Sequence, residues 1–194
     1  MLLDIPIIVL SYLLGGITTG YYLVLLLCHQ DIRTSGSGAT GATNVGRLLG
    51  PKGFLLTFLG DACKGALMPS IAIYLGLSDI TVLVSVLTVV VGHVWPLQLG
   101  FRGGKGVAPA FGGILVVNPP LALGLFVITM GLFALTRRFT ISGLIVIMAS
   151  PMISGLISRS LEQAMGMFIL TIILLIAHRE NIGRIFEDLS RRKK

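Results

Sequence analysis

The sequence predicts an all-α polytopic membrane protein, a seven-transmembrane-helix bundle with the N-terminus outside and the C-terminus cytoplasmic. Three observations carry this expectation. Of 194 residues, 54% are hydrophobic and only 12% charged, whereas a soluble domain carries about 25% charged residues; the mean hydropathy is +0.94. The apolar residues gather into runs, most of them near the ~20 residues that cross a bilayer. The basic residues sort to one side of those runs.

In chain order the runs cover about 4–28, 53–76, 80–99, 105–117, 120–136, 141–157 and 163–177. The first contains a 23-residue apolar stretch, Ile5 to Leu27, with no basic leader and no small-residue cleavage site; it reads as a retained span, not a signal peptide. The fourth is short for about 30 Å of hydrocarbon. Beside Gly-rich sequence, it reads as a tilted, partly re-entrant element buried in protein. Asn118-Pro119-Pro120 ends it in a tight turn, because proline biases the preceding residue away from helix. With no internal repeat, residues 1–194 read as a single integral membrane domain. Cys28 and Cys63 lie in apolar stretches and form neither a metal-ligand pattern nor a disulfide framework.

Seven spans put the connections 29–52, 100–104 and 137–140 and the tail 178–194 on one side. There lie Arg33, Arg47, Lys52, Arg102, Arg137, Arg138, Arg179, Arg184, Arg191, Arg192, Lys193 and Lys194, with Lys105 at the edge. The other side holds Arg159, and Lys64 is inside a span. Thirteen against one is the positive-inside pattern. A six-span count, with 105–117 not crossing, would put Arg137 and Arg138 outside. The net charge of +7 therefore reports topology, and no nucleic-acid partner is expected. Arg191-Arg192-Lys193-Lys194 reads as a tail resting on anionic headgroups.

The polar, Gly-rich segments all fall on that cytoplasmic side. The first runs Arg33-Thr34-Ser35-Gly36-Ser37-Gly38-Ala39-Thr40-Gly41-Ala42-Thr43-Asn44-Val45-Gly46-Arg47. Small residues let backbone N–H groups converge on an anion, and hydroxyls and arginine add donors. Gly36-x-Gly38-x-x-Gly41 matches a dinucleotide fingerprint in form only, since it follows a membrane helix and no strand. It also opens like a phosphate-binding P-loop, but Ala42 stands where that loop needs lysine. A flexible Gly/Ser linker is the plain alternative; the flanking arginines and Thr43-Asn44 favour an oxyanion cradle.

The second segment is Gly92-His93-Val94-Trp95-Pro96 followed by Phe101-Arg102-Gly103-Gly104-Lys105-Gly106-Val107. Glycines running into a helix direct N–H groups and the positive dipole end toward an anion. Lys105 adds a point charge suited to phosphate. A glycine turn with snorkelling Arg102 and Lys105 is the competing reading. The third is His178-Arg179-Glu180-Asn181-Ile182-Gly183-Arg184, where the last span leaves the bilayer; histidine can serve as base or phosphate donor, and Asn and Arg can hold an oxyanion. Ser142 and Arg138 are further phosphate donors at the mouth of the sixth span. Within the second span, Asp61 and Lys64 share a helix side. They suit a functional pair or a structural one tying helices together where Gly60 and Gly65 allow close packing. His93 reads as a ligand or base, or more simply as a hydrogen-bonded strut.

Two absences exclude chemistry. The residues five after His29, His93 and His178 are Thr34, Gln98 and Gly183, which argues against acyltransferases built on a His/Asp pair. The eight carboxylates are scattered, which disfavours a two-metal phosphotransferase.

Taken together, the segments resemble the bacterial membrane acyl-phosphate:glycerol-3-phosphate acyltransferases. The resemblance rests on Gly36-Ser37-Gly38, Gly41-Ala42-Thr43-Asn44-Val45, Arg47, Gly60-Asp61, Lys64-Gly65, Gly92-His93, Pro96, Gly103-Gly104-Lys105-Gly106-Val107-Ala108, His178, Asn181-Ile182 and Arg184. It spans essentially the whole chain, in order. The chain departs at Ala39, where the family usually has asparagine, at Gln98, where an aromatic is usual, and at Pro109, where threonine is common; Thr40 is a substitute donor for the first. The resemblance implies a seven-helix membrane fold and transfer of a fatty acyl group from acyl phosphate to the sn-1 hydroxyl of glycerol 3-phosphate. It implies the products lysophosphatidic acid and phosphate, a donor other than acyl-CoA, no metal and no cofactor. The expected setting is the bacterial cytoplasmic (inner) membrane, with the active site on the cytoplasmic face and no obligatory protein partner.

On that basis Ser37, Arg47, Lys105, His178 and Asn181 are the candidate catalytic residues. Gly36, Gly38, Thr40, Gly41, Thr43, Asn44, Gly103, Gly104, Gly106 and Ser142 are the candidate substrate-binding residues. Ser37, Thr43, Asn44 and Arg47 suit the acyl-phosphate head and the developing oxyanion, and Gly103 to Gly106 suit the other phosphate, with Arg47 shared. The proton acceptor stays open between His178 and a substrate phosphate oxygen. A small anion or organophosphate transporter is the rival class; polar groups crowded on one face and the lack of an inverted repeat speak against it.

Overall fold

The computed structural model describes residues 2–158 and 160–191, with 188 and 189 by backbone alone. Arg159 and Arg192-Lys193-Lys194, which entered the topology and headgroup readings, lie outside the described residues. Every regular element among those described is helical. They are α1 (Asp4–Gly15), α2 (Thr19–Cys28), α3 (Ala42–Tyr74), α4 (Asp79–Val94), α5 (Val107–Val117), α6 (Pro119–Thr136), α7 (Phe139–Ser158), α8 (Leu161–Ala177) and α9 (Arg179–Arg191). By length and apolarity five segments among the described residues can cross a membrane: Asp4–Cys28, Ala42–Tyr74, Asp79–Leu99, Pro119–Thr136 and Phe139–Ser158. Counting Leu161–Ala177 with the helix bent 61° from it makes six. The seventh expected span is α5, an apolar helix of 11 residues, which rises only about 16 Å.

The chain forms two compact units, 1–122 and 123–194. In the first, α5 lies against α3 and α4, α1 against α4, and α2 against α3. Glycine permits these approaches: a Cβ on Gly65 would overlap Pro109, one on Gly112 the carbonyl of Ala62, and one on Gly92 the carbonyl of Tyr12. Small residues substitute here for the hydrophobic driving force that helices lack in lipid. Ile7, Met68, Ala72, Val82 and Val89 form one buried cluster and Val24, Ile32 and Val45 another.

Two expectations are corrected. The run 4–28 is broken: α1 ends at Gly15 and α2 begins at Thr19. Hydropathy does not register the interruption, because the broken backbone groups are satisfied by other helices. The polar connection 29–52 is not loop throughout, since α3 starts at Ala42, so Thr43, Asn44 and Arg47 are helical. The helix kinks at Gly50 (φ 69°, ψ −165°), a backbone that glycine adopts readily ahead of Pro51.

In the second unit α7 packs on α8. Pro151 cannot donate to the carbonyl four residues back. That carbonyl, of Ile147, instead accepts from Ser150 Oγ (2.9 Å) and Thr171 Oγ1 (3.0 Å), which repairs the ladder where water is scarce.

Candidate functional site

The segment between α2 and α3 is built by two side chains. Asp31 caps the short 3-10 turn Ile32–Thr34, accepting from the Arg33 amide at 2.9 Å. Its carboxylate also takes Arg33 Nε at 3.0 Å and Nη2 at 2.7 Å, while Nη1 donates to the Leu99 carbonyl at 2.7 Å. The guanidinium lies over the Tyr21 ring, 5.1 Å from its centre. Arg33 is thus spent on structure. Hydrogen bonds from Arg33 hold the Asp31 carboxyl below its ordinary value, and the carboxylate raises Arg33 in return.

Asn44 does the rest. It is 3% exposed, one turn into α3, and aims back into the preceding turn. Its Oδ1 accepts the Ser37 amide at 2.9 Å, and Nδ2 donates to the carbonyls of Ser35 (2.9 Å) and Ala39 (2.9 Å). The Gly38 amide closes the turn on Ser35 at 3.1 Å. Gly36 and Gly38 have φ of 59° and 72°, which glycine adopts without strain, and a Cβ on Gly36 would overlap Asn44 Oδ1. Asn44 therefore shapes the cradle from inside. Ser37 is presented half-buried at the tip of the turn; Thr43 and Arg47 are exposed and share a face of α3 at i, i+4. Gly41 is the N-cap of α3, so the first amides of that helix add to the donors there.

The second glycine segment meets the first. The Thr40 amide donates to the Gly103 carbonyl at 3.3 Å. Thr40 is fully buried, and its Oγ1 has no hydrogen-bond partner among the described residues. The Gly103 and Gly104 amides, expected to face an anion, donate instead to the α4 carbonyls of Val94 (3.2 Å) and His93 (3.0 Å). These glycines shape the loop. Further amide donors come from the start of α5, whose N-cap is Gly106 (φ 81°). The Val107 and Ala108 amides, in the first turn of α5, precede the first intrahelical donor, the Ala110 amide on the Gly106 carbonyl, and Lys105, half-buried, stands next to them. A helix start with an adjacent lysine is suited to phosphate.

Beneath this loop lie Asp61, Lys64 and His93. Asp61 and Lys64 form the ion pair, at 3.0 Å, and Lys64 Nζ reaches His93 Nδ1 at 2.9 Å. Gly60 meets Thr19 and Gly65 meets Pro109, the close approaches expected of those glycines. That His93 supports the second glycine segment was not legible in the sequence, although Gly92-His93 stood out as a motif.

The second unit holds the remaining candidates. His178 ends α8, is 6% exposed and gives its Nδ1 hydrogen to the Leu174 carbonyl at 2.8 Å. Nε2 is therefore the acceptor nitrogen of the neutral ring. Asn181 follows, half-buried, in the first turn of α9. Ser142 is fully buried, bonded to the Arg138 carbonyl (3.1 Å) and to Thr136 Oγ1 (2.9 Å), so its hydroxyl ties the turn between α6 and α7.

Comparison with known proteins follows the same line. The sequence profile of the family described as glycerol-3-phosphate acyltransferase matches residues 5–188. The chain is 51% identical over 193 residues to "Glycerol-3-phosphate acyltransferase 1" of Desulfitobacterium hafniense (strain Y51), covering 100% of this chain and 96% of that one. It is 36% identical to the glycerol-3-phosphate acyltransferase of Clostridioides difficile (strain 630), covering 97% and 94%. Among solved structures it is similar to PlsY, an integral membrane glycerol 3-phosphate acyltransferase, in its glycerol 3-phosphate form. There the TM-score is 0.89, with 32% identity over 95% of this chain and 92% of that one.

Proposed function

The chain belongs to the glycerol-3-phosphate acyltransferase family, and we propose that it moves a fatty acyl group from acyl phosphate to the sn-1 hydroxyl of glycerol 3-phosphate. The hydroxyl oxygen bonds to the acyl carbon, the bond from that carbon to the phosphate oxygen breaks, and lysophosphatidic acid and inorganic phosphate leave. An acyl phosphate is a mixed anhydride with a good leaving group, so positioning and charge stabilisation supply the catalysis. The reading assigns no metal and no cofactor.

One observation carries it: two glycine-rich segments, far apart in sequence, are joined by the Thr40–Gly103 hydrogen bond. Both substrates bring a phosphate, and each segment presents a helix start beside a cation. Ser37, Thr43 and Arg47 take the acyl-phosphate head and the developing oxyanion, on a turn held by Asn44, Gly36 and Gly38. Lys105 and the start of α5 at Gly106 take the glycerol 3-phosphate phosphate, with Arg47 shared. On the second unit His178 and Asn181 are substrate-binding groups, and Ser142 braces Arg138. His178 Nε2 is the side-chain candidate for the hydroxyl proton, and the leaving phosphate is its competitor.

The same reading takes 1–194 as one catalytic domain in the bacterial inner membrane, with the site on the cytoplasmic face and no obligatory protein partner. It counts α5 as the seventh span, N-terminus outside and C-terminus cytoplasmic, supported by the sorted basic residues. The test is phosphate release by the purified protein in lipid, given acyl phosphate with and without glycerol 3-phosphate, and acyl-CoA in parallel. Release that needs both substrates, with lysophosphatidic acid formed and acyl-CoA inert, is expected. Glycerol 3-phosphate binding with no product would move the assignment to transport.

A further inference from the structure

Asp61, Lys64 and His93 take no part in the chemistry proposed above, yet they are 1%, 7% and 2% exposed. Two of them answer to the break in the first span. Where α1 stops and α2 starts, carbonyls and amides lose their intrahelical partners, and within a membrane no water replaces them. Lys64 Nζ donates to the carbonyls of Gly15 (2.8 Å) and Ile17 (2.8 Å). Asp61 Oδ1 accepts the Thr19 amide at 3.1 Å. A cation thus sits at the C-terminal end of α1 and an anion at the N-terminal end of α2, the signs that the two helix dipoles favour.

His93 is not needed for that repair. Lys64 has only hydrogens to give, so His93 Nδ1 accepts and the neutral ring carries its hydrogen on Nε2. The ring is held from one side by Lys64 and faces the glycine loop on the other. A Cβ on Gly104 would overlap His93 Nε2, and a Cβ on Gly103 would overlap the His93 carbonyl. That carbonyl also accepts the Gly104 amide at 3.0 Å. The loop therefore rests on His93 through both ring and main chain, and Lys105 follows directly.

We infer that His93 is a positioning residue for the reaction: buttressed by Lys64, its ring sets the height of the Gly103–Gly104 turn and so where Lys105 and the start of α5 meet the phosphate of glycerol 3-phosphate. This rests on the function proposed above. The ring acts through the loop and touches neither substrate, so it belongs to the affinity for one substrate and not to the chemical step.

The test is steady-state kinetics of His93→Ala, His93→Asn, Gly104→Ala and the His93→Ala/Gly104→Ala double variant, varying each substrate in turn. His93→Ala is expected to raise KM for glycerol 3-phosphate about 10- to 100-fold, the scale of an ångström-sized misplacement, with kcat and KM for acyl phosphate near wild type. His93→Asn keeps an acceptor for Lys64 but is too short to reach Gly104, so it should fold normally and still show most of the rise in KM for glycerol 3-phosphate. In the double variant the new methyl fills space that the ring vacates, so its KM should fall below the product of the two single effects. An unchanged KM for glycerol 3-phosphate, or equal damage to both substrates and kcat, overturns the inference and leaves His93 a structural strut. If His93→Ala does not fold, His93→Asn and Gly104→Ala decide by the same split between substrates. A wild-type protein that transfers no acyl group would instead remove the proposed function. The positioning claim is then read by calorimetric titration with glycerol 3-phosphate, weaker binding by His93→Ala upholding it and equal binding overturning it.

Discussion

The Thr40 amide donates to the Gly103 carbonyl at 3.3 Å, and this bond makes one structure of two glycine-rich segments. Thr40 precedes the N-cap of α3, and Gly103 precedes the N-cap of α5 by three residues. Two helix starts are therefore tied by their leading strands of backbone. Each helix start favours an anion, so joining them suits a reaction between two phosphate-bearing molecules.

Asn44→Ala should abolish most activity while leaving the fold in place. The substitution removes the acceptor for the Ser37 amide and the donors to the Ser35 and Ala39 carbonyls. Phosphate release is expected to fall about 100-fold, as for other losses of preorganised geometry. Asn44→Asp keeps an acceptor for Ser37 but no donor for the carbonyls, so it should rescue little. Near-normal release by either variant would contradict the role of Asn44 in shaping the turn.

Lys64→Met should destabilise far more than it alters kinetics. It leaves the Asp61 carboxylate buried without its cation and the Gly15 and Ile17 carbonyls without a donor. Breaking a buried pair from one side costs about 3–5 kcal/mol. Thermal unfolding in detergent should show a marked fall in midpoint, partly restored when Asp61→Asn is added to remove the orphaned charge.

Asp31 predicts an acid-side loss. Its carboxyl is held below the ordinary 3.8 by hydrogen bonds from Arg33, so the folded value lies under the unfolded one. The stabilisation is complete above the unfolded value and disappears as pH falls through the folded one. The midpoint difference between wild type and Asp31→Asn should be small, as for any partly exposed pair, constant near neutrality, begin to shrink at about pH 4, and vanish as pH falls through the lower folded value. Differential scanning fluorimetry across pH reads this directly; a difference that grows on acidification would reverse the sign.

His178→Ala separates the two proton acceptors. A positioned base is worth about 10²–10⁴-fold. A fall of that size in kcat at saturating substrates assigns the proton to Nε2. Near-normal kcat with raised KM assigns it to the leaving phosphate and leaves His178 a binding group.

The helices were legible where the signal is local. Apolar runs near the right length found the spans, proline at Pro119 and Pro120 marked a boundary, and the weakness of 105–117 as a span reappears as an 11-residue helix. The start of α3 at Ala42 was not legible, because Gly-rich composition reads as loop whether or not its last residues turn helical. The inward aim of Asn44 was hidden for a related reason: a side chain that bonds its own preceding turn looks the same in sequence as one that bonds a ligand.

By itself the sequence determined that this chain is an apolar helical membrane protein of an acyltransferase family. Composition, run length and motif order suffice for that, since hydrophobic burial and the cost of moving charge across a bilayer depend on residue type alone. Tertiary structure decided what each polar group is for. The Gly103 and Gly104 amides turned out to bind α4, Asp61 and Lys64 to cap a broken span, and His93 to carry a loop. Those outcomes depend on which backbone groups are left unpaired and which helix lies beside them, and hydrogen bonds between distant segments exist only once the segments are packed.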